Sequence, residues 1–331
     1  MTPILEIKNL SISLRDKKKM LIKNMNLCVQ NGQMLGLVGE SGSGKSLTAT
    51  AILGLLPSSL EIVSGTIQFG SYEITSLTEK ECSQIRGKEI AYLPQNYQSY
   101  FTPFIKIGHQ LVEIIRTHTA KKKTDAKEMA LYWLNRVNLP AERVFNSYPY
   151  QLSGGQLQRA SLAAAIMFRP KLIIADEPTT ALDVVNGEII LDLLRDVQQE
   201  MNCAVLLISH DLKKMVNKVD ELAVMYGGHI AEIGKTRAIS NNPVHPYTHL
   251  LFQSSLKLSK SVPKELPTIH GEPGLVSLSG CSFLLRCPYA TEECSKRPQM
   301  KTVGKQHLVA CHSVSGGLKK DVSYSFNYQN V

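Results

Sequence analysis

The chain has 331 residues, 43% of them hydrophobic, and a formal net charge of +9 from 37 Lys/Arg against 28 Asp/Glu. That length accommodates one large domain plus a smaller one, each with room for a core. No apolar run approaches the roughly 18–20 residues that span a bilayer, and "MTPILEIKNL" carries acid and base too early for a secretory signal. The expectation is a cytoplasmic protein that meets a membrane only through a partner.

In chain order, "ILEIKNLSISL" and "LIKNMNLCV" read as strands, and Asn31-Gly32 before "MLGLV" reads as a hairpin turn. A Gly-rich stretch follows, then "SLTATAILGLL" at helical spacing and "GTIQFG" as a short strand. Residues 103–165 are mostly helical in pattern, as in "KIGHQLVEIIRTHT" and "AKEMALYWLNRV". "KLIIAD", "CAVLLISH" and "ELAVMYGGHI" are short apolar strands alternating with polar helical stretches, the signature of an α/β core with a helical insertion. Composition shifts near 235, where "NNPVHPY", "SVPKELP" and "GEPG" interrupt the pattern. From residue 236 onward 11 Lys/Arg stand against 5 Asp/Glu. Such an excess suits nucleic acid or anionic lipid, whereas the runs Lys17–Lys19 and Lys121–Lys123 read as solvated faces.

"GESGSGKS" (Gly39–Ser46) has the G-x-x-x-x-G-K-[ST] form of a Walker A loop between a strand and a helix. Gly39, Gly42 and Gly44, with Ser41 between, let backbone N–H groups approach phosphate oxygens without side chains in the way. Lys45 is expected to reach the β- and γ-phosphates of ATP and Ser46 to hold Mg²⁺, with the helix through Thr48 adding its positive dipole end. "KLIIADEP" has the form of Walker B. Its apolar strand delivers Asp176 to the metal side, and the adjacent Glu177 is placed to act as general base toward water. "LSGGQLQR" (Leu152–Arg159) opens a helix with exposed N–H groups and a Ser hydroxyl, a second anion site. One chain cannot readily bring both anion sites to one phosphate. The expectation is therefore a head-to-tail pair in which Ser153 and Gly155 complete the partner's site.

With these motifs in this order, the chain resembles the ATP-binding cassette (ABC) ATPases over roughly residues 4–235. The resemblance extends to Gln95 in "LPQN", Asp183 in "TALD" and His210 in "LLISHD". It implies that Gln95 senses Mg²⁺ and the membrane partner, Asp183 couples two sites, and His210 contacts the γ-phosphate. The implied catalytic set is Glu177, His210, Lys45 and Gln95. The implied fold is a P-loop ABC ATPase: a RecA-like core with an N-terminal antiparallel β-subdomain and an α-helical subdomain at about 96–165. A small Cys-rich C-terminal domain at 236–331 would follow this 1–235 cassette. One departure from the family is Leu14, where an aromatic residue usually stacks on adenine; weaker adenine contact is expected. The aromatics Tyr97, Tyr100 and Phe101, just after Gln95, are the expected contact with a transmembrane partner.

Seven cysteines are present. Cys28, Cys82 and Cys203 are scattered and read as buried or incidental thiols. Cys281, Cys287, Cys294 and Cys311 form a C-x5-C-x6-C-x16-C series that lacks the tight pair typical of structural zinc. Spacing alone leaves an iron–sulfur cluster, zinc (with His307 or His312 as substitute ligands) and no metal all open. "NNPVHPYTHLL" and "GCSFLLRCPYATEEC" resemble the C-terminal extension of the oligopeptide, dipeptide and nickel uptake subfamily, and that resemblance implies a 4Fe–4S cluster. It also implies an ATPase subunit of an importer for peptides or related solutes, nickel among them. Its partners would be a second cassette, two permease subunits at the cytoplasmic face of the inner membrane and, indirectly, an extracytoplasmic solute-binding protein. The rivals are a soluble ABC ATPase acting on nucleic acid or ribosomes, and a metal-sensing ATPase gated by the thiols. A single cassette without sustained heptads argues against the first rival.

Overall fold

The structure is a computed structural model that describes residues 2–16, 19–180, 182–254, 269–272, 274–277 and 279–313. Lys17 and Lys18 of the first basic run, the "SVPKELP" stretch and the tail beyond Ser313 lie outside the described residues.

Strands β1 (Leu5–Leu14) and β2 (Met20–Val29) pair antiparallel, with Leu5 opposite Val29 and Ile12 opposite Ile22. Asn9 adopts φ 50°, and the register shifts there. That bulge moves the buried apolar set from Leu5 and Ile7 to Leu10 and Ile12. The chain then leaves this sheet, so Asn31-Gly32 is not a hairpin turn. Gly32 has φ 65°, but β3 (Met34–Val38) pairs with other strands and is buried at every residue. An all-apolar run is worth more in a parallel sheet covered on both faces than beside β2. β4 (Leu60–Phe69) returns to β1, and β5 (Tyr72–Glu73) completes a four-stranded sheet of order β2-β1-β4-β5.

β6 (Ile90–Leu93), β7 (Leu172–Asp176), β8 (Ala204–Ser209) and β9 (Glu221–Tyr226) join β3 in the main sheet, where neighbours run parallel in the order β9-β3-β8-β7-β6. Helices Ile107–His118, Lys123–Arg136, Ala141–Asn146 and Gly154–Ile166 are inserted between β6 and β7. The first is amphipathic, buries Ile107, Leu111 and Ile115, and ends with Arg116 and His118 at its negative dipole end.

β10 (His229–Lys235) turns back antiparallel on β9. β11 (Lys301–Gly304) and β12 (His307–Val309) extend that edge, β12 lying against β10. Tyr247, Leu250, Cys281, Phe283 and Cys294 share one hydrophobic cluster with Leu222, Val224 and Tyr226 of β9. The described residues after Lys235 thus pack against the main sheet.

Candidate active site

The phosphate-loop, Walker B, Gln95 and His210 residues named from sequence collect at the carboxyl ends of the parallel strands, where an open α/β sheet presents loops to ligand. The phosphate loop follows β3, Gln95 follows β6, Asp176 ends β7 with Glu177 next, and His210 follows β8. Asp176 is the last residue of its strand and the others start one or two residues beyond theirs, so the sheet fixes backbone positions while the side chains emerge.

In the phosphate loop, Gly42 (φ 77°) and Gly44 (φ 110°) take the left-handed conformations that let the chain wrap into the helix Lys45–Ile52. A Cβ at Gly39 would lie 2.2 Å from the Met225 carbonyl oxygen, whereas one at Gly42 would meet nothing within 4 Å. The loop is therefore pressed against β9 on one side and open on the other. Lys45 is 5% exposed, and its Nζ donates to the Gly39 carbonyl (2.8 Å) and the Glu40 carbonyl (3.0 Å). An ammonium has three donors, so one remains for an acceptor on the open side. Burial lowers the Lys45 ammonium below its ordinary value, opposed by the charges of Glu177, Asp176 and Glu40. Ser43 Oγ is buried with no hydrogen-bond partner among the described residues. Ser41 is exposed, and Thr48 Oγ1 returns its bond to the Gly44 carbonyl (3.0 Å), inside the helix.

Asp176 is 2% exposed. Its two oxygens accept from Ser46 Oγ (3.1 Å) and Tyr92 Oη (3.3 Å). Burial pushes its carboxyl above the ordinary carboxylate range, the bonds from Ser46 and Tyr92 and the charge of Lys45 notwithstanding. A buried acid that rests on two hydroxyls and, among the described residues, has no ion-paired cation suits a hard divalent metal. The open loop, the unpartnered Ser43 hydroxyl and this carboxylate together fit a magnesium-bound polyphosphate.

Glu177 is a non-glycine residue at φ 48°, a conformation that costs energy and concentrates at functional positions. Its N–H donates to the Ile208 carbonyl (2.9 Å), locking the turn to β8. The carboxylate lies where three loops converge. Oε2 accepts from Gln95 Nε2 (3.0 Å) and Thr180 Oγ1 (3.0 Å), while Oε1 lies 3.1 Å from His210 Nδ1. Three sequence-named residues, Glu177, Gln95 and His210, are thus in direct contact. Tyr92 and Thr180 were missed because a strand tyrosine and a loop threonine carry no signal until β6 is placed beside β7.

The Leu152–Arg159 motif lies in the helical insertion. Ser153 caps the helix Gly154–Ile166 through a capping box: its Oγ accepts from Gln156 N (3.3 Å), and Gln156 Oε1 accepts from Ser153 N (3.1 Å). A Cβ at Gly155 would lie 2.6 Å from Asn186 Oδ1. Asn186 in turn donates to both oxygens of Asp183, the cap of the helix Val184–Met201. Those two bonds from Asn186 hold the Asp183 carboxyl below its usual range. Among the described residues, no hydrogen bond or ion pair links Leu152–Arg159 to Gly39–Ser46. Leu14 ends β1 opposite Leu60, half-buried.

Two expectations are corrected. Tyr97 (5% exposed) and Phe101 (2%) are core residues and Tyr100 is half-buried, so this trio is no exposed contact; Phe104 at 84% is the exposed aromatic of that segment. The iron–sulfur cluster is not supported either. Among the described residues, which include all four C-terminal cysteines, no group of three or more His, Cys, Asp or Glu is placed to hold a metal ion. Burial pushes the Cys281 and Cys311 thiols upward and Cys287 up to about 12. His307 and His312 are engaged elsewhere, on Glu232 Oε1 (2.7 Å) and the Lys296 carbonyl (3.0 Å).

Comparison with known proteins agrees with this geometry. The ABC transporter family matches residues 22–180, and the oligopeptide/dipeptide transporter C-terminal region matches residues 231–294. The chain is 38% identical to the oligopeptide transport ATP-binding protein OppD of Salmonella typhimurium, covering 93% of each. It is 35% identical to the dipeptide transport ATP-binding protein DppD of Escherichia coli, covering 93% of this chain and 96% of that one. A solved neighbour is the dimeric post-hydrolysis state of the ATP-binding cassette MJ0796 bound to ADP and Pi. It has a TM-score of 0.63 at 27% identity, covering 70% of this chain and 99% of that one. Among the described residues no helix is long and apolar enough to cross a membrane. The chain belongs to the ABC transporter family as an ATP-hydrolysing subunit, in the group that carries the oligopeptide/dipeptide C-terminal region.

Proposed function

We propose that this subunit energises an importer of peptides or related small solutes, nickel complexes among them, and that it works as a head-to-tail pair of cassettes. The observation that carries the chemistry is the Glu177 carboxylate, held by Gln95, His210 and Thr180 beside the buried Asp176. The cargo assignment rests on the match over residues 231–294 and on relatives named for oligopeptide and dipeptide transport.

In this reading the backbone N–H groups of Gly39–Ser46, other than those of Glu40 and Ser43 that bond within the protein, and the remaining Lys45 donor bind the β- and γ-phosphates of ATP. Ser46 and Asp176 would hold Mg²⁺, which supplies charge neutralisation at the triphosphate when bound. Glu177 takes the proton of the attacking water, while Gln95 and His210 orient its carboxylate and sense the terminal phosphate. Ser153 and Gly155 of the second cassette complete the site, a role supported by the separation of the two anion motifs within one chain. Asp183, tied through Asn186 to the start of the Gly155 helix, would couple the two sites. Leu14 would give adenine an apolar but unstacked contact.

The division into a 1–235 cassette, with a helical subdomain near 96–165, and a 236–331 extension belongs to the same proposal. So do two permease subunits contacted beside Gln95, a peripheral place at the inner membrane's cytoplasmic face, and an extracytoplasmic binding protein acting indirectly. Both family matches are to transporters, and nothing favours the nucleic-acid reading. Purification from its native membrane tests this. Permease subunits are expected to co-purify, with ATP hydrolysis stimulated by a peptide-loaded binding protein. Co-purification of RNA or DNA without membrane subunits would overturn it.

A further inference from the structure

Glu40 is the second residue of the phosphate loop, and residues far along the chain engage its N–H and its carboxylate. Its N–H donates to Tyr247 Oη at 2.8 Å. Its carbonyl accepts from Lys45 Nζ at 3.0 Å and from Ser43 N at 3.2 Å. Its carboxylate is gripped by both terminal nitrogens of Arg286, Nη1 to Oε2 at 2.6 Å and Nη2 to Oε1 at 3.0 Å. The Arg286 side chain is 1% exposed and that of Glu40 17%.

Arg286 is itself fixed from every side. Nε donates to the His270 carbonyl at 2.8 Å, and Nη1 also reaches Tyr226 Oη at 3.3 Å. Its guanidinium carbon lies 5.8 Å from the Tyr226 ring centre and 6.0 Å from that of Phe283. Tyr226, Tyr247 and Phe283 pack against one another at centroid distances of 4.7, 5.0 and 5.4 Å. The Glu40 carboxylate and amide are thus both held from the region after Lys235, through Arg286 and Tyr247, which also packs Phe283 against the loop's neighbours. The loop's other supports come from β9 and the turn after it: Gly228 N donates to the Ser43 carbonyl at 2.9 Å.

A carboxylate in an anion-binding loop opposes its ligand unless it is neutralised and turned aside. A bidentate guanidinium does both at once, with a geometry that lysine cannot copy. We propose that Arg286 is a positioning residue for the phosphate loop: by clamping Glu40 it makes ATP affinity depend on the docked state of the 269–313 region. This rests on the reading that Gly39–Ser46 binds the triphosphate.

The test is equilibrium ATP binding to the full-length chain, with Lys45→Ala as the control for that reading. Lys45→Ala should abolish binding; if it does not, the site assignment fails rather than the clamp. Arg286→Met leaves the half-buried Glu40 carboxylate unpaired and is expected to weaken ATP binding about tenfold. Glu40→Gln combined with Arg286→Met removes that charge and should return affinity to within about threefold of the native chain. In ATPase assays the single variant should raise KM for ATP far more than it lowers kcat. Native ATP affinity in Arg286→Met, or a double variant as weak as the single, would overturn the proposal. Should Arg286→Met not fold, Arg286→Lys and the double variant carry the test. The lysine variant is then expected to bind ATP about threefold to tenfold more weakly, and parity with the native chain would overturn the clamp.

Discussion

The carboxyl edge of the parallel sheet and the cysteine-bearing end of the chain are both rich in reactive groups, but burial treats them oppositely. At the edge, Lys45, Ser43 and Asp176 are buried with bonding capacity left over or with ionisation disfavoured. At Cys281, Cys287 and Cys311, burial pushes the thiols upward, and the nearby histidines are already bonded. Buried polar groups are normally satisfied, so what marks a ligand site is the unsatisfied remainder. Reactive residue types alone do not mark one. By that measure the first region fits a ligand and the second packs.

The largest expected effect that sharpens this contrast is on stability. Phe283 is 1% exposed among Tyr226, Tyr247 and Arg286. Phe283→Ala should lower unfolding free energy by about 3–5 kcal/mol in a urea titration. A loss under about 1 kcal/mol would show that this end of the chain is not part of the main core.

A smaller effect is set by pH. His245 is 3% exposed, accepts from Tyr247 N at 3.1 Å, and is lowered by burial to about 4. Unfolded, it titrates near its ordinary value of about 6.5, so between those limits the unfolded chain binds more protons. Stability from this group is therefore complete above about pH 6.5 and is lost as pH falls toward 4. Between pH 7 and pH 5 the loss is about 2 kcal/mol, and His245→Gln should flatten that part of the profile. An equal slope in both proteins would contradict it.

The smallest effect lies at the binding edge. Stacking on a base is worth about 1–3 kcal/mol, so Leu14→Tyr should tighten ATP binding by about tenfold. Unchanged affinity would show that Leu14 does not face adenine.

What was legible in the sequence follows from range. Gly39–Ser46 and Leu152–Arg159 are contiguous, and their conformations depend on glycines and caps within the motif, so spacing reveals them. β3, β7 and β8 are legible as buried strands because each is an apolar run, broken only by the terminal Asp176 of β7 and Ser209 of β8. Asn31-Gly32 misled because a turn signal cannot say which sheet the next strand joins, and the apolar character of Met34–Val38 decided that. Tyr97 and Phe101 misled because an aromatic after a loop glutamine looks the same whether it faces solvent or the helical insertion. The cysteine spacing misled because four thiols in a row of turns carry no information about where their sulfurs point. Tyr92, Thr180 and Asn186 were invisible for a related reason: each matters only through a neighbour supplied by another strand or helix. Arg286, 246 residues from Glu40, is the extreme case.

The most direct test of the account is single-turnover ATP hydrolysis by Glu177→Gln beside its equilibrium ATP binding. In the proposed function the carboxylate is the proton acceptor, and among the described residues it makes no hydrogen bond or ion pair with the phosphate loop's Lys45 or Ser46. Hydrolysis should therefore fall by about 10²–10⁴-fold while ATP affinity stays within about threefold of the native chain. Hydrolysis that persists at the native rate, or is lost together with ATP binding, would contradict the assignment of Glu177 as the base.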